Sequence, residues 1–309
     1  MKLSKTPTEH LPFTGVVFSP QGQSNGNSCL PAVIVLPGSD GGIPELIAEQ
    51  IATRGYTTLA LGYFGLEGLP PLLENIPLEY FKKPIEWMRK QCKKKSLVIL
   101  GYSRGAELAL LLATIYPDLI DGLIGVSPSS LVVGGFPHPN IPAWLLNNQP
   151  VAPYLQGIMN SNDDLEESRE LELACKAVIA FHENTESDPY DVVDLFDLRN
   201  ESDEEAASEI AVEKMKCPLL LLSGEEDKIW PSYKYGKWIL ERLDEQNSTI
   251  KRQHICFPKA GHGLLAPYKG SIYHPIGKFW CRLGGTPEGN ALASKKSWEA
   301  IFQFLDQLL

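Results

Sequence analysis

The sequence predicts an α/β protein: a mostly parallel, doubly wound sheet with helices on both faces and one inserted lid segment. Three observations carry this. Short apolar runs alternate with helical patterns along most of the chain. One run, Leu97-Val-Ile-Leu100, ends in Gly101-Tyr-Ser-Arg-Gly105, so a G-x-S-x-G turn sits between a strand and the helical stretch 106–113. The alternation then breaks over residues 131–215, which are first proline-rich and then helical and acidic. A compact domain rarely keeps so long a stretch without a use, and it is expected to lie over the carboxyl ends of the strands, where open α/β sheets bind ligands. With 309 residues, 43% of them hydrophobic, the whole chain is expected to be a single domain over 1–309, with 131–215 as its lid or cap.

In chain order, Val16–Phe18 reads as part of an N-terminal edge strand and Ala32–Leu36 as a buried one. The glycine-rich loop Pro37-Gly-Ser-Asp-Gly-Gly42 follows, then a helix near 44–54 that tolerates Pro44 in its first turn and ends at Gly55. Thr57–Leu61 is a strand, 62–77 a loop rich in glycine and proline, and 78–91 a helix that Pro84 is expected to kink. Beyond the Leu97–Leu100 strand and its turn come strands at Leu123–Val126, Leu219–Leu222 and Ile255–Phe257. Helices are expected near Ser232–Leu243 and Trp298–Leu308.

The formal net charge is −10 and unevenly placed. Residues 183–209 hold eleven acids and one base, Arg199; the remaining acids and bases cancel. No basic stripe supports nucleic-acid binding, and no apolar run is long enough to insert in a membrane. Six cysteines at 29, 92, 175, 217, 256 and 281 are scattered without a C-x-x-C pair, as expected for reduced thiols in a cytoplasmic protein. The first ten residues lack the apolar stretch of a signal peptide. There is no H-E-x-x-H, no paired-cysteine metal site and no P-loop, so neither metal nor cofactor is expected.

The chemistry starts at Ser103. The turn forces this serine into a strained conformation, and glycines at 101 and 105 leave room where side chains would collide. Its hydroxyl then stands above the sheet edge at a helix N-terminus, which favours developing negative charge. A serine hydroxyl needs an adjacent base. Of six histidines, His262 in Pro258-Lys-Ala-Gly-His-Gly263 sits in a glycine-flanked loop just after a strand; His254 lies within the strand before it, and His10, His138, His182 and His274 have no comparable context. The imidazole needs a carboxylate to fix its tautomer. Asp227, in the turn Ser223-Gly-Glu-Glu-Asp227 after a strand, is the first choice, with Glu225 and Glu226 as fallbacks. The order Ser103…Asp227…His262 is that of the α/β-hydrolase fold. The oxyanion hole is expected from the Arg104 N–H plus one from the loop 38–42, either Ser39 or Asp40.

At this point the chain resembles a known family. Gly101-Tyr-Ser-Arg-Gly-Ala-Glu-Leu-Ala-Leu110, Ala60-Leu-Gly-Tyr-Phe-Gly-Leu-Glu-Gly-Leu-Pro70 and Gly224-Glu-Glu-Asp-Lys-Ile-Trp-Pro-Ser232 look like blocks of acyl-CoA thioesterases and bile acid-CoA:amino acid N-acyltransferases. So do Pro77–Phe81, Ala260-Gly-His262 with Pro267-Tyr268, and Gly284-Gly285 leading to Ser297-Trp298. The blocks follow the family's order from about residue 31 to the C-terminus. The resemblance implies an α/β-hydrolase fold with Ser103 as nucleophile, Asp227 as acid and His262 as base. Animal members carry an immunoglobulin-like domain ahead of the catalytic part. Only about 30 residues precede the first core strand here, so contacts from such a domain are not expected. The amino-acid transferases use a cysteine nucleophile, and so do the more distantly similar dienelactone hydrolases; the serine here favours hydrolysis over transfer to an amine.

The expected function is therefore a serine hydrolase that cleaves an acyl-CoA-like thioester or a carboxylic ester through an acyl-enzyme. The alternatives are an acyltransferase to an amine acceptor, a dienelactone-hydrolase-like esterase, and a non-catalytic ligand-binding relative. The partner is a small-molecule acyl ester or thioester, and nothing in the sequence sets the oligomeric state. Coenzyme A would need cations: Lys93–Lys95 sit at the far end of the sheet, while Lys228, Lys234 and Lys259 fall near site-forming loops. An acidic lid over the pocket would repel coenzyme A, which favours a neutral ester or thioester.

Overall fold

The computed structural model describes residues 2–21, 30–91, 96–138, 140–151, 208–265, 273–276 and 279–308. In chain order these form β1 (Leu3–Pro7), β2 (Thr14–Pro20), β3 (Ala32–Leu36), α1 (Glu45–Ala52), β4 (Thr57–Gly62), β5 (Ile76–Pro77), α2 (Lys82–Gln91), β6 (Leu97–Tyr102), α3 (Arg104–Ile115) and β7 (Gly122–Val126). They continue with β8 (Trp144–Leu146), β9 (Gln149–Pro150), β10 (Leu219–Gly224), α4 (Ser232–Glu245), β11 (Arg252–Phe257), β12 (Tyr273–Ile276), β13 (Phe279–Arg282) and α5 (Pro287–Asp306).

Eight strands form one sheet in the order β1-β2-β4-β3-β6-β7-β10-β11. From β4 to β11 every pairing is parallel, and β1 and β2 add an antiparallel edge. The central strands are apolar on both faces because both are covered. Ile34, Leu36, Ile99 and Leu221 pack with residues of α2, α3 and α4; Val33, Val35, Leu100 and Leu222 pack with α1 and α5. The chain leaves β3 toward β4 on one side and returns to β6 on the other. The crevice at such a reversal is where open α/β sheets bind ligands, and the loops after β3 and β6 line it.

Local departures from expectation have physical causes. Strand β1 went unread because its residues, Leu-Ser-Lys-Thr-Pro, are mostly exposed and polar. The 78–91 helix is a 3₁₀ turn, Leu78–Phe81, followed by α2. Pro84 is the third residue of α2, where a missing N–H costs no intrahelical bond, so no kink is required. The last helix begins eleven residues earlier than expected. Thr286 caps it by accepting from the Gly289 N–H at 3.0 Å, and Pro287 occupies its first position.

Of the expected lid, 131–138, 140–151 and 208–215 are described. Leu131 bridges Glu209, Leu73 bridges Phe136, and β5, β8 and β9 form a small separate sheet. Most of the acidic 183–209 stretch, Lys93–Lys95, His182, Cys29, Cys92 and Cys175 lie outside the described residues. Among the described residues no helix is long and apolar enough to cross a membrane, and no group of three His, Cys, Asp or Glu side chains could hold a metal ion.

Candidate active site

Ser103 stands between β6 and α3 with φ 55° and ψ −122°, a left-handed φ that costs a non-glycine residue on the order of 1–3 kcal/mol. The neighbouring glycines are dictated by space. A Cβ at Gly101 would lie 1.9 Å from the Gly105 carbonyl oxygen, and one at Gly105 would lie 2.4 Å from the Pro37 oxygen. The Ser103 N–H donates to Val126 O at 2.9 Å, which ties the turn to β7. As N-cap of α3, Ser103 makes no side-chain capping bond. Its Oγ lies instead 2.9 Å from His262 Nε2.

His262 Nδ1 lies 2.8 Å from Asp227 Oδ2. With Nδ1–H donating to the carboxylate, Nε2 is left as the acceptor for the Ser103 hydroxyl. Asp227 is itself held: the Ser232 hydroxyl donates to Oδ2 at 2.6 Å, and the Ile229 and Trp230 N–H groups to Oδ1 at 2.9 and 3.4 Å. Ser103, Asp227 and His262 are each at most 5% exposed. The imidazole sits between Tyr102 and the edge-on ring of Trp230, with centroids 5.4 and 5.7 Å away. Glu225 and Glu226, the fallback acids, are exposed.

The loop after β3 runs against Ser103: a Cβ at Gly38 would approach Ser103 Cβ to 3.1 Å. Gly41 N–H closes a turn onto Gly38 O at 3.2 Å, and the Tyr63 hydroxyl donates to Pro37 O at 2.8 Å, fixing the loop at its root. Burial pushes the Tyr63 phenol well above its ordinary range, so it remains a donor. Ser39 is half-buried and Asp40 exposed. Arg104 opens α3, where first-turn N–H groups have no intrahelical acceptor.

Several supporting residues carry no sequence motif. Residues 283–285 stitch the acid and histidine loops together. Asp227 bridges Gly284, Ala260 bridges Gly285, and Leu283 O accepts from the N–H groups of His262 and Lys228. Gly284, at φ 82°, is required because a Cβ there would sit 1.8 Å from Glu226 O. Asn290 accepts from the Gly261 N–H at 2.8 Å and donates to Gly284 O at 3.0 Å. Ser127, at the tip of β7, donates its hydroxyl to His262 O at 2.8 Å, and its carbonyl accepts the Trp230 indole N–H at 3.1 Å. The Gly284-Gly285 pair was the one visible signal. The others emerge only when distant loops meet.

The candidate cations for coenzyme A divide. Lys259 is exposed at a left-handed φ of 58°, and its carbonyl accepts from the Thr286 N–H, so its backbone serves the start of α5. Lys234 is exposed on α4, and Lys228 is half-buried beside Asp227.

Between β10 and β11, the Ser223 hydroxyl lies 2.7 Å from His254 Nε2. Burial pushes His254 down to about 4, so the folded protein holds it neutral while the unfolded chain protonates it below about 6.5. Stability from this group is therefore present above pH 6.5 and lost as pH falls toward 4, a change on the order of 2–3 kcal/mol. The urea midpoint is expected to fall between pH 7 and pH 5, and to fall less in His254→Gln; equal slopes in the two proteins would contradict this.

A strained serine between β6 and α3 at a topological reversal, with acid and histidine on the loops after β10 and β11, defines an α/β-hydrolase fold. Consistent with that fold, a putative dienelactone hydrolase from Klebsiella pneumoniae superposes with a TM-score of 0.58 at 14% identity, covering 99% of this chain and 98% of that one. The chain belongs to the family described as BAAT / Acyl-CoA thioester hydrolase C terminal, which matches residues 76–309. It is 27% identical to human acyl-coenzyme A thioesterase 6 over 99% of this chain and 65% of that protein. With human mitochondrial acyl-coenzyme A thioesterase 2 it shares 25% identity over 90% of this chain and 52% of that protein. The chain thus spans between half and two thirds of the length of these relatives.

Proposed function

We propose that this protein is a serine-dependent hydrolase of an acyl-CoA-like thioester or a carboxylic ester. The observation that carries the reading is the unbroken relay from Ser103 Oγ through His262 to Asp227, with contacts of 2.9 and 2.8 Å. In the proposed reaction His262 Nε2 takes the Ser103 proton as Oγ attacks the carbonyl carbon. The oxyanion is received by the Arg104 N–H and by that of Ser39 or Asp40. Collapse expels the thiolate or alkoxide, which takes the proton back from imidazolium. Water then repeats the sequence on the acyl-enzyme, releasing the acid.

The family and the names of its thioesterases support a thioester substrate. The 131–215 segment is proposed as the cap over the site, its described flanks being tied to the elbow helix and α4. A cytoplasmic setting fits the free thiols of Cys217 and Cys256. The test is steady-state hydrolysis of matched acyl-CoA and p-nitrophenyl esters over a range of chain lengths, with amine acceptors added in parallel. Free acid from both series supports the reading. Amide product in place of acid favours the acyltransferase alternative, and no turnover of either series contradicts hydrolysis.

A further inference from the structure

A buried ion pair lies one helical turn from the nucleophile, outside the reaction steps above. Arg104 and Glu107 share a face of α3 at i, i+3, with Nε 3.1 Å from Oε2 and side chains 5% and 0% exposed. Burial disfavours both charges, raising the Glu107 carboxyl and lowering the Arg104 guanidinium, and each partner opposes the shift of the other. A charge pair taken out of water is tolerated only when its remaining donors and acceptors are met.

Here Nε and Oε2 face each other without forming a hydrogen bond, and Val133 and Trp144 supply the partners of the other two bonded atoms. Arg104 Nη2 donates to the Val133 carbonyl at 2.8 Å. Glu107 Oε1 accepts the Val133 N–H at 3.1 Å and the Trp144 indole N–H at 2.7 Å. The pair therefore brackets both backbone polar groups of a single residue. The Arg104 guanidinium also lies 5.8 Å from the Trp144 ring. The Val133 side chain is buried in a small apolar cluster with Leu131, Trp230 and Tyr235. Trp230 packs on His262. One cluster thus touches the histidine and is tied to the residue that follows Ser103.

Apolar packing alone could hold this segment with equal stability. What the bracket adds is register, because a shift of one residue would take the Val133 carbonyl from Arg104 Nη2 and the Val133 N–H from Glu107 Oε1. We propose that Glu107 is a positioning residue: with Arg104 it locks Val133 beside the elbow and so sets the apolar wall that the acyl group of the substrate meets. The acyl part of this proposal rests on the hydrolase reading; the lock itself does not.

Two variants test it. Arg104→Met/Glu107→Leu removes the bracket while keeping its volume, and Trp144→Phe removes a single donor while keeping a ring. In both, amide hydrogen exchange over 131–138 is expected to quicken, by about tenfold in the double variant and about threefold in Trp144→Phe. For Trp144→Phe, KM for a dodecanoyl ester is expected to rise about three- to tenfold with kcat unchanged, and acetyl ester turnover to stay within about twofold. Unchanged exchange in Trp144→Phe overturns the lock, whether or not the double variant folds. Equal loss for both esters, carried in kcat, overturns the role in positioning the wall. A wild-type protein that hydrolyses neither these esters nor the matching acyl-CoA thioesters instead refutes the hydrolase reading, and exchange alone then decides the lock.

Discussion

Ser103→Ala is expected to lower kcat/KM for any hydrolysed ester by a factor on the order of 10⁴ to 10⁶. In the proposed reaction this hydroxyl carries the acyl group, and the residual rate would come from water bound against the same N–H donors. The fold should hardly notice. Alanine places the same Cβ at the same strained φ of 55°, and the hydroxyl provides no helix cap to lose. The only bond removed is the one to His262 Nε2. Melting should shift by no more than about 2–4 °C. A variant that keeps its activity would refute Ser103 as nucleophile, and one that loses activity only by unfolding would leave a structural role in its place. Calorimetry beside the rate assay separates these outcomes.

Asp227→Asn is the second large effect, expected at about 10⁴-fold in kcat. The reason is specific to this carboxylate. Three donors already converge on it besides the imidazole: the Ser232 hydroxyl and the N–H groups of Ile229 and Trp230. An asparagine there would keep its oxygen toward the two backbone N–H groups and turn its NH₂ toward Ser232 and His262. The imidazole must then accept at Nδ1, which puts the ring proton on Nε2. Nε2 could no longer take the Ser103 proton. Glu225 and Glu226 offer no rescue, because both face solvent. Measured pH–rate profiles should show a low plateau in the variant across neutral pH; activity within tenfold of wild type would contradict the role of Asp227.

Much of this arrangement was legible in the residues because it depends on local rules. Strands β3, β4, β6, β7 and β10 are continuous apolar runs, as strands covered on both faces must be. The elbow was legible because G-x-S-x-G has a steric cause: Gly101 and Gly105 stand against backbone, not side chains. Asp227 and His262 were legible because each follows a strand in a turn-rich stretch.

The features that were missed depend on contacts across long sequence separations. Ser127 and Asn290 are ordinary residues until β7 and α5 are brought against the histidine loop. Glu107 reads as a helix residue of the elbow motif, and only the burial of its partner Val133 shows what it holds. Ser39 and Asp40 differ as oxyanion donors only through backbone direction within a short glycine-rich turn, which residue types do not encode. The amphipathic start of α5 was obscured by glycines at 284, 285 and 289 and by the polar Ser-Lys-Lys-Ser run. Its first turn is stabilised by the Thr286 cap and by packing against Lys259.

In the proposed reaction Ser103 is made nucleophilic by His262. The most direct test is reaction of the folded protein with a fluorophosphonate, followed by intact mass and peptide mapping. One phosphonyl group per chain on Ser103, lost on unfolding before addition and lost in His262→Ala, is the predicted result. Folded wild-type protein that stays unlabelled, or that is labelled at another residue, would contradict it.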